Sequence, residues 1–481
     1  MSAQVSWQAG LANRLWQLLS YFQYQKFRRE SHSLQVVQER LLTQNLQRLH
    51  GTIAGQRWQV HNIDCYRTFR EQVPLQDYQS LQPLLALSNG VTKEIVRVWE
   101  PTGGSSGGTK WIPWTASVQA QFRRAVSVWI FDLFRRHPEL RNGRSYWQLT
   151  PQADVTAPDW LKHAKMGFES DGDYLGSVGR LLERMALVKV DKSGPDFWEQ
   201  TVRALLATPD LRLISCWSPS FLLVLKQKLE DYWGAWQPEL WWPNLGLVSC
   251  WTQGPSKALE DSVQVLFPQA KIQGKGLLST EAITSLPFSD SYPLAYQSHF
   301  FEFLGKDGLV VPSWQVELGK EYEVVQTVGN GLTRYRSGDL VMVTGFFHRV
   351  PCLEFLDRRR TSDLFGEKLE YTFLSGITNG WGRFAKLSVE ENAYVLFLDE
   401  DGGLEEVDAC YRQLNESLEG AFSYKDCRGL GQLSELRCFL VHGSGWKQMS
   451  EFDDLSFAKQ KPGPMLPEGV WSQKFRGHFI V

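Results

Sequence analysis

Short apolar strands alternate with helices through the middle of the chain, and this alternation limits the fold more than any other feature. The run LRLISCW precedes the helical segment SFLLVLKQKLEDYW, and LGLVSCW precedes ALEDSVQVLFP. A strand followed by a helix, repeated, is typical of a mostly parallel sheet that is covered by helices. The sequence therefore predicts an α/β domain in this region.

Beyond about residue 299 the pattern changes to strands. HFFEFL, EYEVVQTV and LVMVTGFF come first, and FAKLSVEENAYVLFLDEDGG and ELRCFLVHG follow around the helical segment EEVDACYRQLNESLEG. Because 481 residues exceed one ordinary core, we expect two domains or more. We predict a large N-terminal α/β domain with mostly parallel sheets and a β-rich part, residues 1–356, and a small mobile C-terminal α+β domain, residues 357–481. The charged run LEFLDRRRTSDLFGEKLEY between them is interpreted as a linker.

Helices are predicted at three places before residue 140. Leu11, Leu15, Leu18 and Phe22 recur at helical spacing, and the residues Leu34, Val37 and Leu41 form a second run that ends near Gly51. A third helix should begin after Thr115 as N-cap and end at Pro138.

The composition is that of a folded globular protein and excludes some functions. The net charge is −2, which gives no overall electrostatic reason to bind nucleic acid or an anionic membrane. No apolar run is long enough to cross a bilayer and no signal peptide is recognisable, so we expect a cytoplasmic protein that is a monomer or a weak oligomer. The seven cysteines have neither metal-ligand spacing nor the pattern of a disulfide framework.

The stretch VRVWEPTGGSSGGTKWIPWT, residues 96–115, is rich in glycine and serine and is followed at once by a lysine. It is predicted to join a strand to a helix, where backbone N–H groups can receive an anion. The spacing fits neither the Walker loop nor the dinucleotide-binding loop. A phosphate-binding loop and a flexible surface turn are both compatible with these residues alone.

The loop resembles the T-S-G-T-T-G-x-P-K loop of the acyl-adenylate-forming superfamily. The resemblance implies that ATP phosphates are bound by Thr102, Gly104, Ser105, Ser106, Gly107 and Lys110. Gly103 and Thr109 depart from the usual Ser and Pro, but glycines still let the backbone approach a triphosphate and Lys110 still adds positive charge.

Further segments resemble one branch of that superfamily, the plant auxin-responsive acyl-acid amido synthetases and their bacterial relatives. In chain order they are FREQVPLQDYQSLQP, KWIPWT, ISCWSPSFLLVL, AYQSHFFEFL, GKEYEVVQTVGNGLTRYRSGD, TSDLFGEKLEY and YKDCRGLGQLSELRCF. The resemblance implies an ATP-dependent ligase that uses Mg²⁺. It converts a small carboxylic acid and ATP into acyl-AMP and pyrophosphate, and an amine, such as that of an amino acid, then displaces AMP.

The second motif of the family corresponds here to GLLSTE. It implies that Thr280 lies near the α-phosphate and that Glu281 is a ligand of Mg²⁺, a cation that prefers oxygen ligands. The alternative is that Glu281 is the exposed first residue of a surface helix, EAITSLPF. The family often has an aromatic residue at the position of Leu277, so its absence leaves adenine stacking there in doubt.

The third motif is YRSGD. Asp339 is implied to accept hydrogen bonds from both ribose hydroxyls, with Tyr335 and Arg336 along the nucleotide. A solvated Asp in an ordinary S-G-D turn is the alternative.

Two further positions follow from the resemblance. Asp357 and Arg358 fall where the superfamily has its interdomain hinge, and AKQKPGPML resembles the segment that carries the catalytic lysine of adenylation. Lys461 is the match, joined by Lys110 as the second catalytic residue, and Lys459 is a rival to Lys461.

The acyl site is less defined by the sequence. Val126, Trp129, Ile130 and Phe134 could line it, and an ordinary core face is the alternative. Two other functions stay open: a ligase that forms a thioester with coenzyme A, and a nucleotide- or acyl-binding protein that has lost catalysis.

Overall fold

The structure is a computed structural model of the chain. It describes residues 6–102, 110–148, 158–161, 164–165, 184–190, 197–217, 219–358, 361–362, 369–400, 403–421, 424, 428, 433–452, 463–466 and 469–481.

Among the described residues, five α-helices precede the predicted loop, and a strand lies on each side of it. The first helices are α1 (Trp7–Glu30), α2 (Leu34–Leu49), α3 (Ile53–Arg57), α4 (Tyr66–Gln72) and α5 (Tyr78–Leu85), and the strands that flank the loop are β1 (Val98–Thr102) and β2 (Lys110–Trp114), followed by the long helix α6 (Ala116–Arg136). Thr115 caps α6 through its side chain, as the sequence predicts. The loop itself was expected to run directly into this helix, and that is wrong: β1 and β2 pair as an antiparallel hairpin, because the aromatic and β-branched residues after Lys110 favour a strand.

The predicted parallel sheet is confirmed. Its strands are β3 (Arg144–Trp147), β4 (Leu211–Ser215), β5 (Leu247–Cys250) and β6 (Lys271–Gly274), all parallel and in this order. The helices between them are α7 (Phe197–Leu206), α8 (Pro219–Trp233), α9 (Pro238–Trp241) and α10 (Glu260–Leu266). Every residue of β4 and β5 is buried, as expected for a sheet covered on both faces.

The β-rich part is an antiparallel sheet of five strands. They are β7 (Phe300–Gly305), β8 (Val310–Pro312), β9 (Glu321–Thr327), β10 (Tyr335–Phe347) and β11 (Val350–Arg358), in the order β11-β10-β9-β7-β8. The linker interpretation of residues 353–371 is wrong in its first part, because residues 353–358 are the end of β11. The next residues that the structure describes form the short strands β12 (Thr361–Ser362) and β13 (Leu369–Glu370).

The C-terminal region is α+β, as predicted. The helix α11 (Tyr371–Thr378) leads into the strands β14 (Ala385–Glu390), β15 (Ala393–Asp399), β16 (Arg437–Val441) and β17 (Gly477–Phe479), with the helices α12 (Leu404–Gly420) and α13 (Gly445–Phe452) between them. One apolar core contains Trp198 and Phe221 from the helices of the parallel sheet together with Phe397 and Phe475 from the C-terminal region. The C-terminal region therefore packs on the α/β part through apolar side chains.

The first helix forms as predicted, but its apolar periodicity does not face the core. Leu11, Leu15, Leu18 and Phe22 are exposed, whereas Trp16 and other residues on the opposite face of α1 are buried. Spacing alone locates a helix face but does not say which face is covered. In the described part of the chain, none of the helices has both the length and the apolar character that are needed to span a bilayer.

Candidate active site

Lys110 and Tyr78 meet at the end of the glycine-rich loop. Lys110 begins β2 directly opposite Thr102, and its ammonium lies 6.0 Å from the centroid of the Tyr78 ring. The backbone N–H of Trp111 donates to the Tyr78 hydroxyl at 2.8 Å. Gly104, Ser105, Ser106 and Gly107 lie outside the described residues. The described residues therefore include both ends of the loop, Thr102 and Lys110, and Tyr78 is hydrogen-bonded next to the second end.

Glu281 lies close enough to Tyr78 to affect the pKa of its hydroxyl. Burial raises the pKa of the Tyr78 hydroxyl, the Trp111 amide opposes this shift, and the negative charge of Glu281 adds to it. Glu281 is only 3% exposed, and residues 279–288 do not form a helix. The alternative interpretation of Glu281 as an exposed helix start is therefore wrong. Thr280, the residue before it, is half-buried.

The turn that carries Thr280 and Glu281 is held by a buried histidine. Leu278 and Ile283 form a β-bridge across the turn, and the N–H of Ile283 donates to Nε2 of His299 at 3.3 Å. Burial, assisted by the positive charge of Arg124, lowers the pKa of His299 to about 3. The imidazole is therefore neutral at pH 7 and can accept this hydrogen bond.

The residues around Glu281 fit a Mg²⁺ ion that is shared with a nucleotide. Among the described residues, no three His, Cys, Asp or Glu side chains cluster as a metal site, and the Glu281 carboxylate forms no hydrogen bond or ion pair. Mg²⁺ is usually bound by one or two carboxylates together with substrate phosphates and water. A single buried carboxylate near Tyr78, which contacts the end of the glycine-rich segment, matches that pattern.

The YRSGD residues occupy the start of β10. Asp339 is 1% exposed, and its backbone N–H donates to the Ser337 hydroxyl at 3.1 Å. The Tyr335 side chain is buried in the core. Arg336 forms a bidentate ion pair with Glu323 on β9, at 2.9 and 2.7 Å. Asp339 is therefore a buried residue of the strand β10, and the alternative of a solvated Asp in a turn is wrong.

The same strand is joined to the segment that contains Tyr78. The N–H of Gln76 donates to the carbonyl of Arg334, and the N–H of Arg336 donates to the carbonyl of Gln76, at 2.9 and 2.8 Å. This short parallel bridge places the VPLQDY and YRSGD segments, separated by more than 250 residues, side by side. Two of the family-like segments are therefore direct neighbours in the fold.

A buried ion pair holds a third segment against these two. Arg334 donates to both carboxylate oxygens of Glu302, on β7, and to the carbonyl of Val73. The hydroxyl of Tyr66 donates to the same carboxylate at 3.0 Å. Burial raises the pKa of Glu302, while the charge of Arg334 opposes that shift. The network therefore connects the three segments FREQVP, FFEF and RYRSGD through direct side-chain hydrogen bonds.

The predicted hinge lies beside Asp339. Asp357 and Arg358 are the last residues of β11, and they pair with Leu340 and Asp339 of β10. The lysines at 459 and 461 lie outside the described residues. Residues 463–466, which follow them, are hydrogen-bonded to β14. The Lys386 ammonium donates to the carbonyl of Gly463, the N–H of Leu387 donates to the carbonyl of Pro464, and the N–H of Leu466 donates to the carbonyl of Leu387.

Two cavities share the segment 275–278 in their linings. The first is lined by Lys275 and Leu278 and by residues of α6 and the following turn, namely Ala125, Val126, Trp129, Ile283, Leu286 and Pro287. The second is lined by Gly276 and Leu277 together with Trp251, Thr252, Gln253, Ser256 and Phe355. Four consecutive residues just before Ser279, Thr280 and Glu281 therefore alternate between the linings of two cavities. Gly276 has a φ of +72°, and a Cβ there would lie 2.8 Å from the Ser285 carbonyl oxygen, so this alternation requires glycine.

Of the four residues that the sequence suggested for the acyl site, two line a cavity and two are buried in the core. Val126 and Trp129 line the first cavity, whereas Ile130 and Phe134 belong to a buried apolar cluster. Leu277 stands where the family often has an aromatic residue. Trp251 and Phe355 line the same cavity as Leu277, so aromatic rings are present there. Tertiary structure therefore supplies rings from distant parts of the chain.

Known proteins match this chain over most of the region just described. Residues 23–236 match the GH3 family N-terminal domain, and residues 292–358 match the GH3 family central domain. Together these matches cover more than half of the chain. The chain belongs to the GH3 family.

Relatives within the GH3 family agree with this assignment. A probable indole-3-acetic acid-amido synthetase GH3.6 of Oryza sativa subsp. japonica is 26% identical over 254 residues, which are 44% of this chain and 52% of the relative. A putative indole-3-acetic acid-amido synthetase GH3.10 of the same plant is 24% identical over 377 residues, 68% of this chain and 79% of the relative. The chain thus spans about half the length of the first of these relatives.

The solved structure of the AtGH3.15 acyl acid amido synthetase in complex with 2,4-DB has the same fold as this GH3 chain. It superimposes with a TM-score of 0.78 at 17% identity, over 93% of this chain and 94% of that chain. The predicted α/β architecture is therefore confirmed for a member of the GH3 family.

Several residues of the candidate site were missed by motif matching. Tyr78 is the last residue of the VPLQDY match, and its contacts with Lys110 and Trp111 were not expected. Lys275 lies five residues before Thr280 on the same segment, yet no motif includes it. Trp251 and Phe355 give no local signal, because their meeting depends on β5 and β11 coming together.

Proposed function

We propose that this GH3 protein is an ATP-dependent acyl-acid amido synthetase, which adenylates a small carboxylic acid and transfers the acyl group to an amine. The observation that carries the proposal is the pair of cavities that share residues 275–278 in their linings, just before Thr280 and Glu281. A reaction that joins a carboxylate to a nucleotide needs two sites with one shared wall. The acid occupies the cavity beside Trp129, and the adenine occupies the cavity beside Trp251 and Phe355.

The first half-reaction brings two anions together. A carboxylate oxygen attacks the α-phosphorus of ATP, the bond from the α-phosphorus to the bridging oxygen breaks, and pyrophosphate leaves. Lys110 offsets negative charge that accumulates on the phosphates, and Thr280 donates to an α-phosphate oxygen. Tyr78 fixes the end of the loop through the N–H of Trp111, which keeps Lys110 near the phosphates.

The nucleotide is oriented by residues on rigid elements. Asp339 accepts hydrogen bonds from the ribose hydroxyls, and the interlocked Gln76, Arg334 and Glu302 hold its strand in place. Glu281 would hold Mg²⁺, whose charge neutralises phosphate oxygens when it is bound. Lys461, from the C-terminal region, is the second cation for adenylation, and Asp357 and Arg358 form the hinge about which that region turns.

In the second half-reaction, the neutral nitrogen of an amine attacks the acyl carbon. The bond from that carbon to the AMP oxygen breaks, AMP leaves, and the amine releases a proton to solvent. The names of the plant relatives, which are amido synthetases, support an amide as the product, and we propose an amino acid as the acceptor. A thioester-forming ligase shares the first half-reaction, so only the acceptor distinguishes the two.

The test is carboxylate-dependent exchange of label between pyrophosphate and ATP, measured over a panel of acids. Acids that support exchange are then incubated with ATP and either amino acids or coenzyme A. We expect exchange with at least one acid and an amide as the product. Exchange with thioester formation alone would identify an acyl-CoA ligase. Nucleotide binding without exchange for any acid would identify a protein that has lost catalysis.

A further inference from the structure

The first helix presents a long apolar surface to solvent. Seven large side chains form one exposed stripe along α1, the α1 stripe: Trp7, Leu11, Leu15, Leu18, Leu19, Tyr21 and Phe22. Leu18 is 65% exposed and Phe22 is 78% exposed. Together the seven side chains expose on the order of 800 Å², more than the largest apolar patch of a typical monomer. A patch of this size marks an interaction surface.

The helix that carries the stripe is fixed along its opposite face. The buried residues of that face extend over most of the helix: Ala9, Ala12, Asn13, Trp16, Ser20, Tyr24 and Phe27. The side chain of Asn13 donates to the carbonyl of Gly143 at 2.9 Å. The ring of Trp16 packs on that of Trp147, with the centroids 5.6 Å apart. Because α1 is attached to the rest of the protein in this way, the stripe is a preformed surface.

The spacing within the stripe is that of a helix that pairs with another helix. Leu11, Leu15, Leu18 and Phe22 are separated by four, three and four residues. This is the spacing of the apolar positions of a heptad repeat, and in chain order the four residues occupy positions d, a, d and a. The partner that fits this spacing is a helix with an apolar stripe of its own.

The charges beside the stripe favour a protein partner over a membrane surface. A helix that lies on an anionic bilayer carries several Lys and Arg residues along its polar face. Between Trp7 and Phe22 the sequence contains one charged residue, Arg14. Its guanidinium donates to the carbonyl of Gly10 and to the side chain of Asn142, both at 2.9 Å. The basic residues that would hold this part of α1 on anionic lipid are therefore missing from its sequence.

A second copy of the chain supplies a stripe of matching length and spacing. In a two-fold symmetric dimer, the same surface is used by both copies and the assembly closes. Covering about two thirds of the stripe on each copy would bury about 1,000 Å² in total, the size at which specific interfaces begin. We therefore expect a dimer that dissociates on dilution rather than an obligate one.

The charges at the end of α1 select the orientation of two such helices. Lys26, Arg28 and Arg29 lie in the last two turns of the helix, beyond the stripe. Glu30, the acidic residue of α1, is paired with Arg40 of α2 at 3.2 Å. A parallel pair of helices would bring the basic residues of both copies together. An antiparallel pair places them at opposite ends of the interface, where they do not repel each other.

We propose that the α1 stripe is a dimer interface in which two copies of α1 pair in antiparallel orientation. Position a of one helix then faces position d of the other. Leu15 therefore faces Leu18 of the second copy, and Leu11 faces Phe22 of the second copy. The two-fold axis passes between Leu15 and Leu18. Assembly through α1 does not depend on the proposed function, because it requires neither ATP nor an acid.

Sedimentation equilibrium over a range of protein concentrations tests the interface. At micromolar concentration the wild type should have twice the mass of one chain. Leu15→Glu with Leu18→Glu should raise the dissociation constant by at least about 100-fold, because each copy loses two apolar side chains and like charges meet at the axis. Val36→Glu changes an exposed apolar residue of α2 outside the stripe, so it is the matched control and should remain dimeric. Circular dichroism of all variants should match the wild type, since the replaced side chains are exposed.

A pair of opposite charges tests the orientation. Leu11→Glu and Phe22→Lys are introduced singly and together in one chain. In the antiparallel dimer each new Glu faces a new Lys, so the double variant should dimerise roughly tenfold more tightly than either single variant. In a parallel dimer Glu would face Glu and Lys would face Lys. A double variant that dimerises more weakly than both single variants therefore overturns the antiparallel arrangement.

Two other results overturn the interface itself. One is a wild type that is monomeric at every concentration, and the other is a dimer that persists in the variant Leu15→Glu with Leu18→Glu, because another surface would then join the copies. A monomeric wild type is also mixed with vesicles of equal parts phosphatidylcholine and phosphatidylserine. Binding that is lost in the same variant would assign the stripe to a membrane surface and not to a second copy.

Discussion

The guanidinium of Arg334 forms two hydrogen bonds with the carboxylate of Glu302, at 2.9 and 3.0 Å, in the interior of the protein. The pair joins β7 to the start of β10, and further bonds from Arg334 to the carbonyls of Arg70 and Val73 add the segment before Tyr78. Three family-like segments are therefore held by one side chain. The geometry of the proposed nucleotide site therefore depends on a contact outside that site.

Replacing this arginine should destabilise the protein strongly. Arg334→Met leaves the Glu302 carboxylate buried without its cation, so we expect the free energy of unfolding to fall by about 3–5 kcal/mol. The double variant Arg334→Met with Glu302→Gln should lose less, because no unpaired charge remains. Both are measured by urea unfolding, and a loss below about 1 kcal/mol for Arg334→Met would contradict the role of the pair.

Asp339→Ala should weaken ATP binding. The loss of hydrogen bonds to a charged group predicts a dissociation constant that rises by about 10- to 150-fold, which calorimetric titration can measure. Asp307→Ala, at an exposed turn, is the control and should bind ATP as the wild type does. If Asp339→Ala has a native circular dichroism spectrum and unchanged affinity, the ribose assignment is wrong.

Glu281→Gln should change the dependence of adenylation on Mg²⁺. The amide keeps the shape of the side chain but removes the negative charge, so we expect the Mg²⁺ concentration for half-maximal exchange to rise by roughly tenfold or more. Glu239→Gln replaces an exposed glutamate of α9 in the same way and should have no effect. An unchanged Mg²⁺ titration in Glu281→Gln would reject the metal role.

His299 should make the protein sensitive to acid. Its pKa is about 3 in the folded protein and near 6.5 when unfolded, so the unfolded chain binds one more proton between these values. This contribution to stability is complete above the unfolded pKa and is lost as the pH falls towards 3, at up to about 1.4 kcal/mol per pH unit. The urea concentration at the midpoint of unfolding is measured as a function of pH. Between pH 6.5 and pH 3 it should fall less steeply for His299→Gln than for the wild type. Equal slopes for both proteins would show that His299 does not contribute.

Lys461→Ala should separate the two half-reactions. The variant lacks a charge that stabilises the transition state of adenylation, so exchange should be nearly abolished. Chemically prepared acyl-AMP should still be converted to amide, because the C-terminal region presents another face in that step. Lys459→Ala is the comparison and should retain exchange. If Lys461→Ala slows both steps equally or neither, Lys459 becomes the candidate.

The order of the secondary structure elements was available from the sequence. The runs LRLISCW and LGLVSCW became β4 and β5, and Thr115 caps α6 as expected, because apolar periodicity and capping depend on residues that are close in the chain. The fold class and the family followed from such local signals, repeated in a fixed order. Motif spacing also identified Asp339 and Glu281 as candidates, although not their environments.

Tertiary structure decided which of these residues are buried and what they meet. The sequence could not distinguish a buried Glu281 from an exposed one, or show that the apolar face of α1 points to solvent. Nor could it predict that Trp251 and Phe355 lie beside Leu277, or that Lys275 lies between Trp129 and Trp217. Burial and contact depend on which distant segments pack together, and local sequence carries little information about such long-range packing.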